Sequence, residues 1–341
     1  MNKIIEEDFD LIYTHTKPIW NELSNKTIFI TGATGFFGKC LLQNFIIANK
    51  TLNLNIKVIA LSRDPKKFIS NHPQFIDSSI EYIEGDVKNF ETPAQNIDYI
   101  IHAATDVNLN LITNEPLDIY DTIVKGTKNI LELAQTKQTI SVLFISSGAV
   151  YGKQPHALHY ATEDFVGSPD VFQNDASYGE GKRVAEMLCN IYYKKHEVST
   201  KIARCYSFVG SYLPLDGHFA IGNFIDDVIN DKKITIQGDG SPFRAYLYTA
   251  DLMIWLLNIL TKGKPCHPYN VGSDDAINLE DLANLVNTFS KEKHGVEIMK
   301  PKSDAPAARY VPSIDRAKSE LGLVVYTNLR DAISKTIQFY Q

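Results

Sequence analysis

The sequence predicts an α/β fold, a doubly wound parallel sheet with a smaller C-terminal α/β domain. Three observations carry this. Short β-type apolar runs alternate with stretches of helical period through the first 205 residues, which calls for crossover helices on both faces of a sheet. The run "KTIFITG" passes into "TGATGFFG", a strand turning sharply on glycines into a helix. Beyond Gly210, Gly and Pro punctuate "VGSYLPLDGHFAIGNFI" and "IQGDGSPFRAYLYTADL", so long loops are expected there.

The elements follow in order. Residues 1–25 read as a short leading helix and a turn. Lys26 to Thr31 is a buried strand, and 37–49 has helical period, with Cys40, Phe45 and Ala48 facing inward. "NIKVIALSRD", "SIEYIEGDV", "IDYIIHAAT" and "ISVLFISS" are four more strands, with a helix over 116–137 between the last two. "YGEGKRVAEMLCNIYYKKH" is helical, and "STKIARCYSFVG" supplies a further strand. "TADLMIWLLNILTKG" and "INLEDLANLVNTFSKE" are helical again, and "YNVGS" returns as a strand to the first sheet. The expected division is a cofactor domain over 1–205, with crossings returning at about 245–272, and a mainly substrate-binding domain over 206–341.

Composition narrows the class. A chain of 341 residues with 44% hydrophobic and 22% charged residues buries a sizeable core. Its net charge of -6, with no long basic run, argues against a nucleic-acid partner. It leaves room for a small anion held by two or three arginines. The cysteines Cys40, Cys189, Cys205 and Cys266 lack clamp or zinc spacing, so no metal and reduced thiols in a cytoplasmic protein are expected. "MNKIIEEDFD" lacks a signal peptide's pattern, and "LMIWLLNIL" falls far short of the roughly 20 residues of a membrane span.

The glycine turn points to a dinucleotide. Gly32 allows the tight turn, Gly35 lets backbone approach a pyrophosphate, and Gly38 admits close helix–strand contact. Thr34, Phe36 and Phe37 complete the turn, whose helix-terminal N–H groups face the phosphates. Asp86 and Val87 stand where a carboxylate meets an adenine edge. Ala103, Ala104 and Thr105 are small where backbone passes close to a cofactor, and His102 reads as a packed structural residue. At the end of the second strand, where a carboxylate would bind the ribose hydroxyls of NAD, stand Ser62 and Arg63, with Asp64 displaced. Arginine's forked donors suit a 2′-phosphate, so NADP(H) is favoured and NAD(H) is the alternative.

Tyr178 and Lys182 stand four residues apart, on one face of a helix. An ammonium near a phenol lowers the phenol's pKa and readies it for proton exchange with a sugar hydroxyl or carbonyl. Ser147, at a strand end, is placed to steady the same oxygen.

With these motifs assembled, the chain resembles the extended short-chain dehydrogenase/reductase family in its nucleotide-sugar epimerase/dehydratase branch. The resemblance runs through "TGATGFFG", "GDV", "HAAT", "SSGAVYG", "YGEGK", "ARCYSFVG", "GDGSPFRAYLYTADL" and "YNVGS". It implies a Rossmann-like cofactor domain, Ser147, Tyr178 and Lys182 as the catalytic group, and a C-terminal domain closing over a nucleoside-diphosphate sugar. It also implies a homodimer joined by a four-helix bundle of the helices near 116–137 and 178–196. Arg244 and Arg309 match the arginines that hold the diphosphate. Asn223 resembles a substrate-contacting asparagine, with helix capping as the other reading. Tyr206 and Phe208 fall where relatives line the sugar pocket, with core packing as the alternative. Ser146 either adds a hydrogen bond or finishes its strand, and Asp251 is expected to fix a loop or cap a helix.

The family's 4,6-dehydratases carry a threonine and two acidic residues at the strand tip. Here those places hold Ser147, Gly148 and Ala149. Water elimination needs a base and an acid, and neither glycine nor alanine exchanges a proton. Decarboxylase relatives also carry an acid at the Ala149 position. The expected activity is therefore NADP-dependent reduction of a 4-keto nucleotide sugar, with Tyr178 as proton donor. A NAD-dependent 4-epimerase is the alternative, and a dehydratase or a non-catalytic dinucleotide-binding protein is less favoured.

Overall fold

The computed structural model describes residues 2–105, 109–173, 175–217, 219–292 and 294–341. The leading helix is longer than expected: α1 spans Lys3–Leu23. Ile5, Phe9, Ile12, Thr16, Ile19, Trp20 and Leu23 recur every three or four residues and form one buried stripe. Asn2 caps its start, accepting from the Ile4 N–H at 2.9 Å.

The alternation that follows is β1 (Thr27–Thr31), α2 (Phe36–Leu52), β2 (Lys57–Ser62), α3 (Pro65–Asn71), β3 (Ile80–Glu84), β4 (Tyr99–His102), α4 (Leu109–Asn114), α5 (Pro116–Lys137), β5 (Ser141–Ser147), α6 (Ala176–His196) and β6 (Thr200–Cys205). The strand expected over 199–210 breaks at Tyr206, whose N–H turns to the Val271 carbonyl at 3.0 Å. Its remainder, β7 (Ser207–Val209), leaves the main sheet. Then come α7 (Ala220–Ile229), β8 (Ile234–Ile236), β9 (Phe243–Arg244), β10 (Tyr246–Tyr248), α8 (Thr249–Lys262), β11 (Pro268–Val271) and β12 (Ile277–Asn278). The helix expected over 277–292 is confined to α9 (Leu279–Asn287), because Asn278 ends β12 and caps α9 through the Asp281 N–H at 2.8 Å. The chain closes with β13 (Val296–Ile298), β14 (Arg309–Tyr310), α10 (Asp315–Leu321) and α11 (Leu329–Tyr340).

Seven strands form one parallel sheet in the order β11-β6-β5-β4-β1-β2-β3. The pleat divides each strand between two cores. Ile28 and Ile30 of β1 join the cluster under α1, α2 and α8, while Phe29 joins the one under α5 and α6. Strand order reverses between β1 and β4, so a crevice opens at their carboxyl ends. Two smaller pieces matter for the site: β10 pairs with β7, and β9 lies between β12 and β14.

The chain's two ends are tied together. Asp8, on α1, is only 6% exposed. It accepts from the Tyr248 hydroxyl at 2.7 Å and from Lys335 at 3.2 Å. Burial nevertheless raises its pKa above the usual carboxylate range.

Candidate active site

The glycine turn sits at the β1/β4 crevice. Gly32 adopts φ +67°, and a Cβ there would stand 2.6 Å from the Ala103 carbonyl oxygen. Glycine is therefore required both by conformation and by the approach of the chain leaving β4. A Cβ on Gly38 would overlap Ala33, so the helix crosses close to the turn. Gly35 caps α2 without a side-chain hydrogen bond, which leaves the first-turn N–H groups of α2 directed at an anion. This backbone cradle fits the pyrophosphate of a dinucleotide. Phe36 and Phe37 contact each other with ring centroids 5.4 Å apart.

Ser62 is buried and its hydroxyl accepts from the Asp64 N–H at 3.3 Å, while Arg63 is exposed. The Asp64 carboxylate turns to the start of α3, where it accepts from the Lys67 N–H at 2.9 Å. Asp86 accepts from the Lys88 N–H at 2.8 Å in a tight turn, and Val87 packs against Gly126. His102 sits between Thr31 and Thr127 at 2.7 and 3.1 Å. Burial pushes its pKa down to about 3, so it stays neutral.

Tyr178, Lys182 and Ser147 come together at the tip of β5. Two glycines let α6 settle there. A Cβ on Gly179 would stand 2.9 Å from the Ala149 carbonyl oxygen, and one on Gly181 3.1 Å from Ile123 of α5. Lys182, 3% exposed, donates to the Ile145 carbonyl at 2.7 Å and to the Thr105 hydroxyl at 3.0 Å. Its Nζ lies 5.8 Å from the Tyr178 ring centroid. The expected lowering of the Tyr178 pKa by this ammonium is not what the structure has. Burial pushes the phenol up to about 12, with the Ser147 hydrogen bond opposing, and burial brings Lys182 down to about 8. The physical reason is burial, which disfavours the charged phenolate and outweighs the Ser147 hydrogen bond; Lys182 meanwhile donates to Ile145 and Thr105. Tyr178 is thus held protonated near neutral pH, the state of a proton donor.

Ser146 points away from Tyr178. Its hydroxyl donates to Glu186 at 2.6 Å, and Glu186 pairs with Arg204 at 2.6 Å. Arg204 donates to the Tyr151 hydroxyl at 2.8 Å, so this network locks β5, α6 and β6 together. A cleft of about 360 Å³ is lined by Glu186, Arg204 and Met187, with neither Ser147 nor Tyr178 on its wall. Asp251 accepts from the Tyr326 and Thr327 N–H groups at 2.7 and 3.2 Å, fixing the loop before α11.

On the substrate side, β9 and β14 run parallel with Arg309 beside Phe243 and Tyr310 beside Arg244. The Arg309 guanidinium lies 4.3 Å from the Phe243 ring centroid and that of Arg244 5.8 Å from the Tyr310 ring centroid. Among the described residues neither arginine has a carboxylate within 4.0 Å, so both charges remain for an anion. Asn223 is exposed in the first turn of α7, whose cap is Phe219; the capping reading of Asn223 therefore fails. Phe208 packs edge-on against Phe37 at 5.4 Å, which fits the core-packing alternative. Tyr206 stays near the strand tip with its ring centroid 4.6 Å from that of Tyr310.

Tyr310 escaped the sequence reading. Its hydroxyl lies 3.5 Å from Ser147 Oγ. A Cβ on Gly148 would stand 2.8 Å from that hydroxyl and 2.7 Å from Tyr206 Cζ. The place of the first dehydratase acid is therefore filled by two phenols. The absence of a side chain at Gly148 was the available signal; the two rings that filled the space lay 58 and 162 residues further on.

Among the described residues no group of three or more His, Cys, Asp or Glu side chains is arranged to hold a metal ion, and no helix is long and apolar enough to cross a membrane.

A crossover crevice with an open helix N-terminus, beside a serine, tyrosine and lysine at the adjoining strand tip, defines a dinucleotide-dependent α/β enzyme. The chain belongs to the NAD dependent epimerase/dehydratase family, whose model matches residues 28–272. It is 27% identical over 336 residues to UDP-glucuronic acid decarboxylase 1 of Danio rerio, covering 98% of this chain and 78% of that protein. It is 28% identical over 311 residues to UDP-glucuronic acid decarboxylase 6 of Arabidopsis thaliana, covering 91% of this chain and 87% of that one. In fold it is similar to UDP-glucose 4-epimerase of Thermotoga maritima (TM-score 0.79, 19% identity, 92% of this chain and 98% of that one). It is also similar to UDP-glucuronic acid 4-epimerase of Bacillus cereus in complex with NAD (TM-score 0.76, 22% identity, 92% and 98%).

Proposed function

We propose that the enzyme reduces a 4-keto nucleoside-diphosphate sugar, with Tyr178 giving its proton to the carbonyl oxygen. The observation that carries this reading is the filling of the Gly148 site by Tyr206 and Tyr310. With no carboxylate at Gly148 or Ala149, the strand tip offers no acid–base pair for elimination or for decarboxylation-type chemistry. Exchange at one carbon remains. The bound nicotinamide supplies the hydride. Ser147 holds the carbonyl oxygen, Tyr178 protonates it, and Lys182 fixes Thr105 and the β5 backbone around them. Arg244 and Arg309 clamp the diphosphate, and Asn223 is free to reach the nucleotide side.

NADP(H) is our preferred cofactor, because Asp64 is engaged at the start of α3 and leaves Ser62 and Arg63 at the ribose position. NAD(H) is the cofactor of the family's description, and the 4-epimerase reading goes with it. We place cofactor binding on residues 1–205 with crossings at about 245–272, and substrate binding mainly on 206–341. We further propose a cytoplasmic homodimer through α5 and α6, where Met187 is 52% exposed.

The test is incubation of the purified protein with UDP-4-keto-6-deoxyglucose and NADPH or NADH, following absorbance at 340 nm. Oxidation of NADPH with formation of a 4-hydroxy sugar is expected. Interconversion of UDP-sugar epimers without external reductant would establish the epimerase instead. A 4-keto-6-deoxy product from UDP-glucose, or carbon dioxide from UDP-glucuronic acid, would overturn both. Light scattering checks the dimer.

A further inference from the structure

The cleft of about 360 Å³ takes no part in the chemistry assigned to Tyr178. It reaches the edge strand β11 through Pro268, and its volume falls in the range of small-molecule sites. Its lining is largely apolar and aromatic. Val150, Ile202 and Pro268 contribute, with Tyr151 and Phe165, whose ring centroids lie 6.1 Å apart. Val166 and Met187 also line it, yet they are 94% and 52% exposed. Two apolar side chains thus face water beside an apolar hollow.

The buried charges of the wall are already matched. Glu186 pairs with Arg204 at 2.6 Å, and Glu163 accepts from the Asn270 N–H at 2.8 Å and lies 3.8 Å from Arg316. Two other polar side chains of the lining keep capacity. Arg183 Nη1 donates to the Val150 and Gly167 carbonyls at 3.2 and 2.6 Å, and its Nε lies 3.5 Å from part-exposed Glu180. Among the described residues its Nη2 donates no hydrogen bond, and the Asn190 amide makes none. Arg183, Met187 and Asn190 stand at i, i+4 and i+7 on α6, so they share one helix face. Seven residues of helical rise set the two polar ends about 10 Å apart. A guanidinium, an apolar span and an amide in line suit an elongated aromatic acid. Its carboxylate would pair with Arg183, its ring would lie on Met187, and a second polar group would meet Asn190.

We propose that this cleft is an effector site for a small aromatic carboxylate bearing a hydrogen-bonding group at its far end, and that its occupancy lowers turnover. The cleft and the strand tip share their walls. Val150 and Tyr151 end the 148–151 turn that follows Ser147, and Glu186 accepts from the Ser146 hydroxyl at 2.6 Å. The other wall is α6, which carries Tyr178 and Lys182. A carboxylate on Arg183 competes with the Val150 and Gly167 carbonyls for the guanidinium. The turn behind Ser147 is then held less firmly, and by linkage the effector binds best where that turn is loose.

The test is isothermal titration of the full-length protein with trans-4-hydroxycinnamate, cinnamate and 4-vinylphenol. The first should bind with a Kd below about 100 μM. Cinnamate should bind about fivefold more weakly and 4-vinylphenol about tenfold or more, the sizes expected for a neutral and a charge-assisted hydrogen bond. Asn190→Leu should reproduce the first loss and leave cinnamate unchanged, and Arg183→Gln should reproduce the second. Val166→Trp, at an exposed position that takes a larger ring without strain, should block all three. Hydrogen exchange at the 148–151 amides should rise about threefold with the probe bound, and kcat for a nucleotide sugar should fall by a similar factor with KM little changed. No binding at about 1 mM, equal binding by the variants, or displacement by UDP would overturn the site. Unchanged exchange would overturn its effector role. Loss of binding on self-association, read by light scattering, would make the cleft an interface between copies and overturn the proposal too. If no nucleotide sugar turns over, titration and exchange still decide the cleft, and only the reductase reading falls.

Discussion

Lys182 Nζ donates to the Ile145 carbonyl at 2.7 Å, while the Tyr178 ring centroid lies 5.8 Å away. The lysine is thus first a clasp between α6 and β5, and the phenol keeps its proton. A buried ammonium with this tether has consequences for stability as well as for activity.

Burial holds Lys182 at about 8, against 10.5 for an ordinary lysine. Between those values the unfolded chain binds more protons than the folded one. Stability attributable to this group therefore rises with pH from about 8 to 10.5 and is flat below 8. Keeping the charge buried below pH 8 costs about 3 kcal/mol on this shift. Lys182→Met should be inactive yet melt higher than wild type at pH 7, with the rise above pH 8 abolished. Thermal unfolding across pH 6–10 checks this; a Met variant that melts lower at every pH would refute it.

Tyr178→Phe removes the only proton donor assigned to the reacting oxygen. Turnover should fall about a thousandfold, within the range for general acid–base catalysis. Affinity for the nucleotide should be unchanged, because the glycine cradle and the two arginines are untouched. Steady-state kinetics and calorimetry together separate these effects.

The cofactor preference is checked at Arg63. Arg63→Ala should weaken NADPH about tenfold and leave NADH within twofold, the loss expected for a charge-assisted contact to the 2′-phosphate. Fluorescence titration with both cofactors reads it directly. Equal effects on both would move the preference to NAD(H).

Arg244 and Arg309 stand on adjacent parallel strands without a carboxylate partner among the described residues. Each alanine variant should raise KM for a nucleotide sugar about tenfold or more, with kcat little changed, and lose affinity for UDP alone. Lysine in either place should restore only part of this, since a point charge lacks the forked geometry.

Gly179 offers a test of how α6 is positioned. A Cβ there would press on Pro169 and the Ala149 carbonyl at 2.6 and 2.9 Å. Gly179→Ala should destabilise by about 1–3 kcal/mol, as overpacking does. It should also reduce kcat more than it raises KM, because Tyr178 is the preceding residue.

Local information determined much of this protein. The strands through β6 and the helices α1, α2, α5 and α6 follow from apolar period and length, since each buries a face that its own sequence must supply; the short helices α3 and α4 were not read from the sequence. The Gly32, Gly35 and Gly38 turn was legible because the backbone at Gly32 and Gly38 leaves no room for a side chain. The Tyr178/Lys182 pair was legible because one helical turn fixes its spacing. The tertiary structure decided the rest. It tethered Lys182 to Ile145 and Thr105 and sent Phe208 into the aromatic cluster at α2. It also carried Tyr310 across the fold to Gly148. These outcomes depend on contacts between residues tens to hundreds of positions apart. The pattern of one segment carries no record of which distant side chain will fill the space it leaves.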